Sequence, residues 1–359
     1  MGGNESYEHY VDLVCEGGGV KGIGLAGAYS VLEEHDFEPQ NVAGTSAGAI
    51  TAALIAARYT ADELKEIILT LDYRQFEDKG WEDRLPLIGR SASILLDQGL
   101  YEGKRFYEWM RELLAAKGIH TFADLVNEQW ADDPTYRSRL QVIASDVTGR
   151  RLLVLPRDAA LLGLKPDELE VAYAVRMSMS IPIFFEPVHA TNPETNREHI
   201  IVDGGMLSNF PVWLFDSGAD EEPDWPTFGL LLVEPDPRKS VAERLPEPEP
   251  HQHGVGPLIE YIKGMAQTMM EAHDRLYVEK AEYARTIAIP TLGVGTTEFG
   301  ITRERALALY ESGRDAAEKF LETWDFKGYI AEFRKDKKHS RRREIGEQLQ
   351  QAVVKTGQT

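Results

Sequence analysis

The chain has 359 residues, 43% of them hydrophobic, and a formal net charge of -20. So acidic a protein repels phosphate backbones, which excludes non-specific nucleic-acid binding. Its one cysteine, Cys15, excludes an intramolecular disulfide and a cysteine-built zinc site, and reads as a small buried hydrophobe.

The first ten residues are polar and lack the basic start and apolar middle of a signal peptide. Gly2 to Ser6 matches the N-myristoylation pattern only formally. The least polar stretch, Ala43–Ala57, is too short to span a bilayer and ends at Arg58, so a cytoplasmic location is expected. The expected division is a tail over residues 1–10, one domain over 11–330 and a charged extension over 331–359.

Val11–Cys15 reads as a buried strand and Val20–Glu34 as a helix, with a glycine cluster between them. Asn41–Gly44 is a second short strand. Ala47–Tyr59 is a helix that is apolar nearly all round, which places it inside the domain. Strand, helix, strand, helix implies a parallel sheet with helices on its faces. Leu64–Tyr107 mixes helix-like pieces with an irregular apolar segment, and Phe106–Lys117 is a helix.

Leu140–Pro156 reads as a hairpin with Thr148–Arg150 at its tip, followed by a helix over Leu169–Ser180. A second hairpin turns at Asn192–Asn196 and ends at Asp203. Phe228–Glu234 is another buried strand. Residues 235–257, rich in proline and charge, form an exposed loop. His251 and His253 on that loop lack the further ligands a metal site needs, so no metal is expected. A helix over Leu258–Tyr283, a strand over Arg285–Pro290 and a helix over Thr302–Phe326 complete the domain.

Three short motifs carry the chemistry. "GTSAG" (Gly44–Gly48) sits between a strand and a helix, the setting of a nucleophile elbow that exposes the Ser46 hydroxyl. Gly44 and Gly48 leave room for the sharp turn and for close packing of strand on helix. "GGGVKG" (Gly17–Gly22) fits the dinucleotide fingerprint through Gly17, Gly19 and Gly22. That reading needs an acid at the end of the second strand, and Asn41–Gly44 supplies none. The phosphate-loop pattern fails as well, because Lys21 precedes Gly22. The better reading is an oxyanion hole, with backbone N–H groups of Gly17, Gly18 and Gly19 facing an oxyanion formed at Ser46. "DGG" closes an apolar strand, with Gly204 and Gly205 letting the backbone turn beside Asp203. None of the nine histidines has the setting of a base; His199, four residues before Asp203, is the nearest in number.

In this order, "GGGVKG", "GTSAG" and "DGG" resemble the patatin-like phospholipase family, over roughly Val11 to Pro211. "SMSIPIFFEPV" and "NFP" extend the likeness. The resemblance implies a three-layer α/β/α sandwich with a mainly parallel central sheet, followed here by C-terminal helices. It implies a Ser46–Asp203 dyad without histidine, the Gly17–Gly22 loop as oxyanion hole, and no cofactor. Lys21 stands where arginine is frequent, which keeps the charge but not the bidentate fork.

The expected activity is hydrolysis of fatty acyl esters of phospholipids or lysophospholipids. The rival readings are a silent lipid-binding protein of the same fold, a dinucleotide-binding oxidoreductase, and a histidine-dependent α/β-hydrolase. Leu85, Leu87, Ile88, Ile94, Leu95 and Leu96, with Ile181, Ile183, Phe184 and Phe185, are candidate walls for an acyl chain. Phe333–Glu344 holds seven Lys or Arg residues, a basic segment over 334–343 that could draw the protein transiently to an anionic membrane surface.

Overall fold

The computed structural model describes residues 7–71, 93–133, 135–182, 185–216, 222–234, 280–296, 298 and 300–334. The first half runs β1 (Tyr10–Cys15), α1 (Ile23–Glu34), β2 (Glu38–Thr45), α2 (Ala47–Ala56), α3 (Ala61–Thr70) and α4 (Ser93–Ala116). Then come β3 (Leu140–Asp146), β4 (Arg151–Leu155), α5 (Val171–Ser178), β5 (Val188–Asn192), β6 (Arg197–Asp203) and β7 (Thr227–Val233). The chain continues through α6 (Lys280–Tyr283), β8 (Thr286–Pro290), α7 (Arg303–Leu321) and α8 (Phe326–Tyr329).

The eight strands form one sheet in the order β5-β6-β3-β2-β1-β7-β8, with β4 also paired to β3. Neighbours from β3 to β8 along this order are parallel, and the β3–β4, β3–β6 and β5–β6 pairs are antiparallel. Parallel strands must be covered on both faces, so they read as continuous apolar runs. β7, "TFGLLLV", is buried along its whole length. Alternation splits these runs between two cores. Leu13, Cys15, Val42, Leu230 and Leu232 face the larger core with α1, α2 and α7. Val14, Ala43, Ile143, Leu231 and Val233 face a smaller one closed by Phe210, Val212, Leu214 and Phe215. Tyr283 of α6 packs on that second core, so helices flank the sheet. Cys15 is a buried hydrophobe whose thiol is pushed up to about 12 by burial.

Both hairpins stand as read from the sequence, with Asp146 opposite Arg151 and Asn192 opposite Arg197. The segment read as irregular before Phe106 is instead helical from Ser93, so α4 is twice the expected length. Gly99 and Gly103 lower its helix propensity, and tertiary packing explains Gly103, where a side chain would strike the Arg176 guanidinium. The 235–257 loop, most of the expected Leu258–Tyr283 helix, residues 335–343, Leu85, Leu87, Ile88, Ile183 and Phe184 lie outside the described residues.

Candidate active site

Ser46 is the single residue between β2 and α2. Its backbone sits at φ 53 and ψ -128, a region that L-residues rarely adopt. The surroundings enforce that conformation. A side chain at Gly44 would strike the Gly48 carbonyl, and one at Gly48 would strike the carbonyls of Cys15 and Glu16. The Ser46 N–H donates to Ser178 Oγ at 2.8 Å, and its carbonyl accepts from Ala49 N–H at 2.8 Å to begin α2. The hydroxyl points at Met179 Sδ, 3.8 Å away.

Asp203 reaches the same place through β3. Thr45, the last residue of β2, pairs with Ile143, and Asp203, the last of β6, pairs with Ala144. β4 occupies the opposite edge of β3 over Val142–Asp146, so β2 and β6 share the remaining edge end to end. Their ends converge, which brings the side chains at 46 and 203 together across 157 positions of sequence.

The Asp203 carboxylate is fully buried. Oδ1 accepts from Gly205 N–H at 2.8 Å, while Oδ2 has no hydrogen-bond partner. The Asp203 N–H donates to the Ser180 carbonyl at 2.9 Å. Burial pushes the carboxyl up to about 7, against the opposing pull of the Ser46 hydroxyl and the Gly205 N–H. The Ser46 hydroxyl is thus close enough to favour the ionised carboxylate although its proton is directed at Met179.

The glycine loop runs alongside. A Cβ at Gly17 would come within 3.1 Å of the Ser46 Cβ, and one at Gly22 within 3.5 Å of the Ala47 Cβ. Asn209 pins the start of the loop: its carbonyl accepts from Gly17 N–H at 3.2 Å, and its Nδ2 donates to the Gly17 carbonyl at 2.8 Å. Glu16 anchors it to the sheet by accepting from Leu232 N–H at 2.5 Å. Gly19 has a φ of +54 and lies against the Thr296 carbonyl, which accepts from Val20 N–H at 3.2 Å. Among the described residues no hydrogen bond takes up the N–H of Gly18 or Gly19. Gly204 is pressed against the Ile143 carbonyl, where no side chain fits.

The structure brings Ser46, Asp203 and the glycines singled out in the sequence to one place, together with Ser178, Glu16 and Asn209, to which the sequence assigned no role. Asn209 stands in the "NFP" block and Glu16 directly precedes the glycines, which are the signals that could have found them. His199 is buried with its Nδ1 2.8 Å from Asp146 Oδ2. Four residues of strand, roughly 13 Å, separate it from Asp203. Asp146 also accepts from Gly149 N–H at 2.7 Å, so the pair braces the hairpin tip. No described histidine hydrogen-bonds to Ser46. Ile181 is buried, and Phe185 packs on the larger core.

The sequence model of the patatin-like phospholipase family matches residues 13–216, a span that contains the glycine loop, Ser46 and Asp203. The chain belongs to the patatin-like phospholipase family. It is 40% identical over 318 residues to the uncharacterised protein YqhO of Bacillus subtilis, covering 88% of this chain and 100% of YqhO. It is 24% identical over 216 residues to the probable lipid hydrolase 463L of Invertebrate iridescent virus 6, covering 57% of this patatin-like chain and 63% of that protein. The crystal structure of VipD from Legionella pneumophila aligns at a TM-score of 0.49 and 18% identity, over 88% of this chain and 67% of VipD. Membership of the patatin-like family places the chain among the lipid hydrolases. No described helix is long and apolar enough to cross a membrane.

Proposed function

We propose that this patatin-like protein is a serine acyl hydrolase that cleaves fatty acyl esters of phospholipids or lysophospholipids. The observation that carries the reading is the buried Asp203 carboxylate beside the strained Ser46, raised to about 7 and with one oxygen unclaimed. Its Oδ2 takes the hydroxyl proton as Ser46 Oγ attacks the ester carbonyl. The oxyanion of the tetrahedral intermediate faces the N–H groups of Gly18 and Gly19 and the positive end of α2. Gly17 holds the loop in place, since its own N–H is engaged by Asn209.

Collapse of the intermediate breaks the ester bond. The departing alcohol takes the proton from Asp203 and leaves the acyl group on Ser46. Asp203 then accepts a proton from water as that water attacks the acyl carbonyl. The second intermediate releases the fatty acid and returns the proton to Ser46 Oγ. No cofactor enters this sequence.

Mass spectrometry of defined phospholipids and lysophospholipids incubated with wild type, Ser46→Ala and Asp203→Asn tests the assignment. The wild type is expected to release fatty acid, and each variant to lose at least about a thousandfold in rate. Equal release by all three proteins defeats the dyad. Transient contact with anionic membrane belongs to the same proposal. Arg334, the first basic residue of the segment, lies 3.5 Å from Asp216, so the binding would fall to the residues beyond it. Deleting 335–359 is expected to weaken sedimentation with anionic vesicles at low salt.

A further inference from the structure

We propose that Met179 decides which acyl groups reach Ser46. Its thioether fills the place beside the nucleophile that the first carbons of an acyl chain must take, so it yields to a straight chain and obstructs a branched one. The inference deepens the hydrolase reading and rests on it for the identity of the ligand.

The nucleophile is shut in. Ser46 is 1% exposed, Met179 is 5% exposed and Asp203 is fully buried. The Ser46 hydroxyl donates to Met179 Sδ at 3.8 Å. An attacking oxygen and a carbonyl carbon stand about 3–3.5 Å apart before they react. No ester comes that close to Ser46 Oγ until a neighbour gives way.

Of the described neighbours, Met179 is the one free to do so. Asn209 holds Gly17 by both its N–H and its carbonyl. The Thr296 carbonyl holds Val20 N–H behind Gly19, and Gly205 N–H fixes Asp203 Oδ1. The backbone around Met179 is equally fixed. Ser178 Oγ accepts the Ser46 N–H, and the Ser180 carbonyl accepts the Asp203 N–H. Arg176 in turn donates to Ser180 Oγ, and Met179 N–H donates to the Val175 carbonyl at 3.0 Å. One tripeptide is thus tied to both members of the dyad, and the movement left to it is that of the Met179 side chain. That side chain is unbranched, has three rotatable bonds and ends in a weak acceptor.

Displacing the thioether has two effects. The Ser46 hydroxyl loses the sulfur, and Asp203 Oδ2, which has no hydrogen-bond partner, is the acceptor that remains. A slot one unbranched chain wide also opens. The methylenes next to a straight-chain carbonyl match the methionine they replace, as volume-conserving swaps do in a core. A methyl branch on the carbon next to the carbonyl needs more width than the thioether vacates, and overfilling a packed site is penalised.

Calorimetric titration of the full-length Ser46→Ala protein with dodecanoic acid and 2-methyldodecanoic acid reads access to the site without turnover. The straight acid is expected to bind at least about tenfold more tightly, the discrimination that one methyl group supports in an apolar pocket. Adding Met179→Ala is expected to bring the two acids within about threefold of each other. Both acids are measured on one protein, so a merely structural role for Met179 would leave the ratio unchanged. With Ser46 intact, the kcat/KM ratio for the p-nitrophenyl esters of the two acids should shift in the same direction.

Equal binding of the two acids to the Ser46→Ala protein, binding of neither, or a ratio that Met179→Ala leaves unchanged overturns the proposal. Should Met179→Ala fail to fold, Met179→Leu decides, since leucine is similar in volume but branched and stiffer. It is expected to weaken binding of the straight acid severalfold, and an unchanged affinity overturns the proposal. Selective binding without ester hydrolysis by the wild type leaves Met179 as the acyl selector and overturns the hydrolase reading instead.

Discussion

A carboxylate near its ordinary value of 3.8 accepts a serine proton poorly, and Asp203 stands at about 7 because it is buried with one oxygen unpaired. If it is the base, kcat/KM rises with pH through about 7 and levels off above it, as a pH–rate profile would record. The same shift affects folding. Between about 4 and about 7 the native state holds a proton that the unfolded chain has released, so stability falls as pH rises across that window. Each such group contributes a slope of at most about 1.4 kcal/mol per pH unit. Asp203→Asn removes one of these contributions, and thermal melts at pH 5 and pH 8 should converge for the variant relative to wild type. Asp12, also pushed to about 7 by burial, remains and keeps part of the slope. Ser46 and Asp203 were legible in sequence because glycines flank both. Ser178 and Glu16 stand in or beside the motif blocks, but a single hydrogen bond across the fold leaves no spacing that assigns them a role.

Two helices approach closely where glycine permits it. Gly27 of α1 lies against the Tyr310 carbonyl, and Gly313 of α7 against the Gly24 carbonyl. Gly313→Ala would drive a methyl group into backbone, and we expect it to cost about 1–3 kcal/mol, read as a lower urea midpoint at unchanged slope. Strands and hairpins emerged from sequence because period-two alternation and turn residues mark them locally. α4 did not, because its length is decided by packing. Gly103 lies where a side chain would strike Arg176, a contact 73 positions away in number.

Across the whole molecule, segments far apart in the C-terminal half are drawn together by charge. Arg285, just before β8, holds Asp216 with contacts of 2.6 and 3.1 Å, and Arg334 approaches the same carboxylate. The Asp216 and Arg285 side chains are 7% and 4% exposed, so removing the Asp216 carboxylate leaves the Arg285 guanidinium buried without its two-point partner. Asp216→Ala should therefore lower the unfolding free energy by about 3–5 kcal/mol in urea titrations. The sheet order was not legible in sequence, since nothing local indicates that β6 meets the end of β2 along one edge of β3. That shared edge matters for motion. Ser46 and Asp203 follow two strand ends hung from Ile143 and Ala144 of a single central strand. When the sheet twists or breathes, both groups ride on the same carriage, so their separation is insulated from flexing elsewhere in the protein.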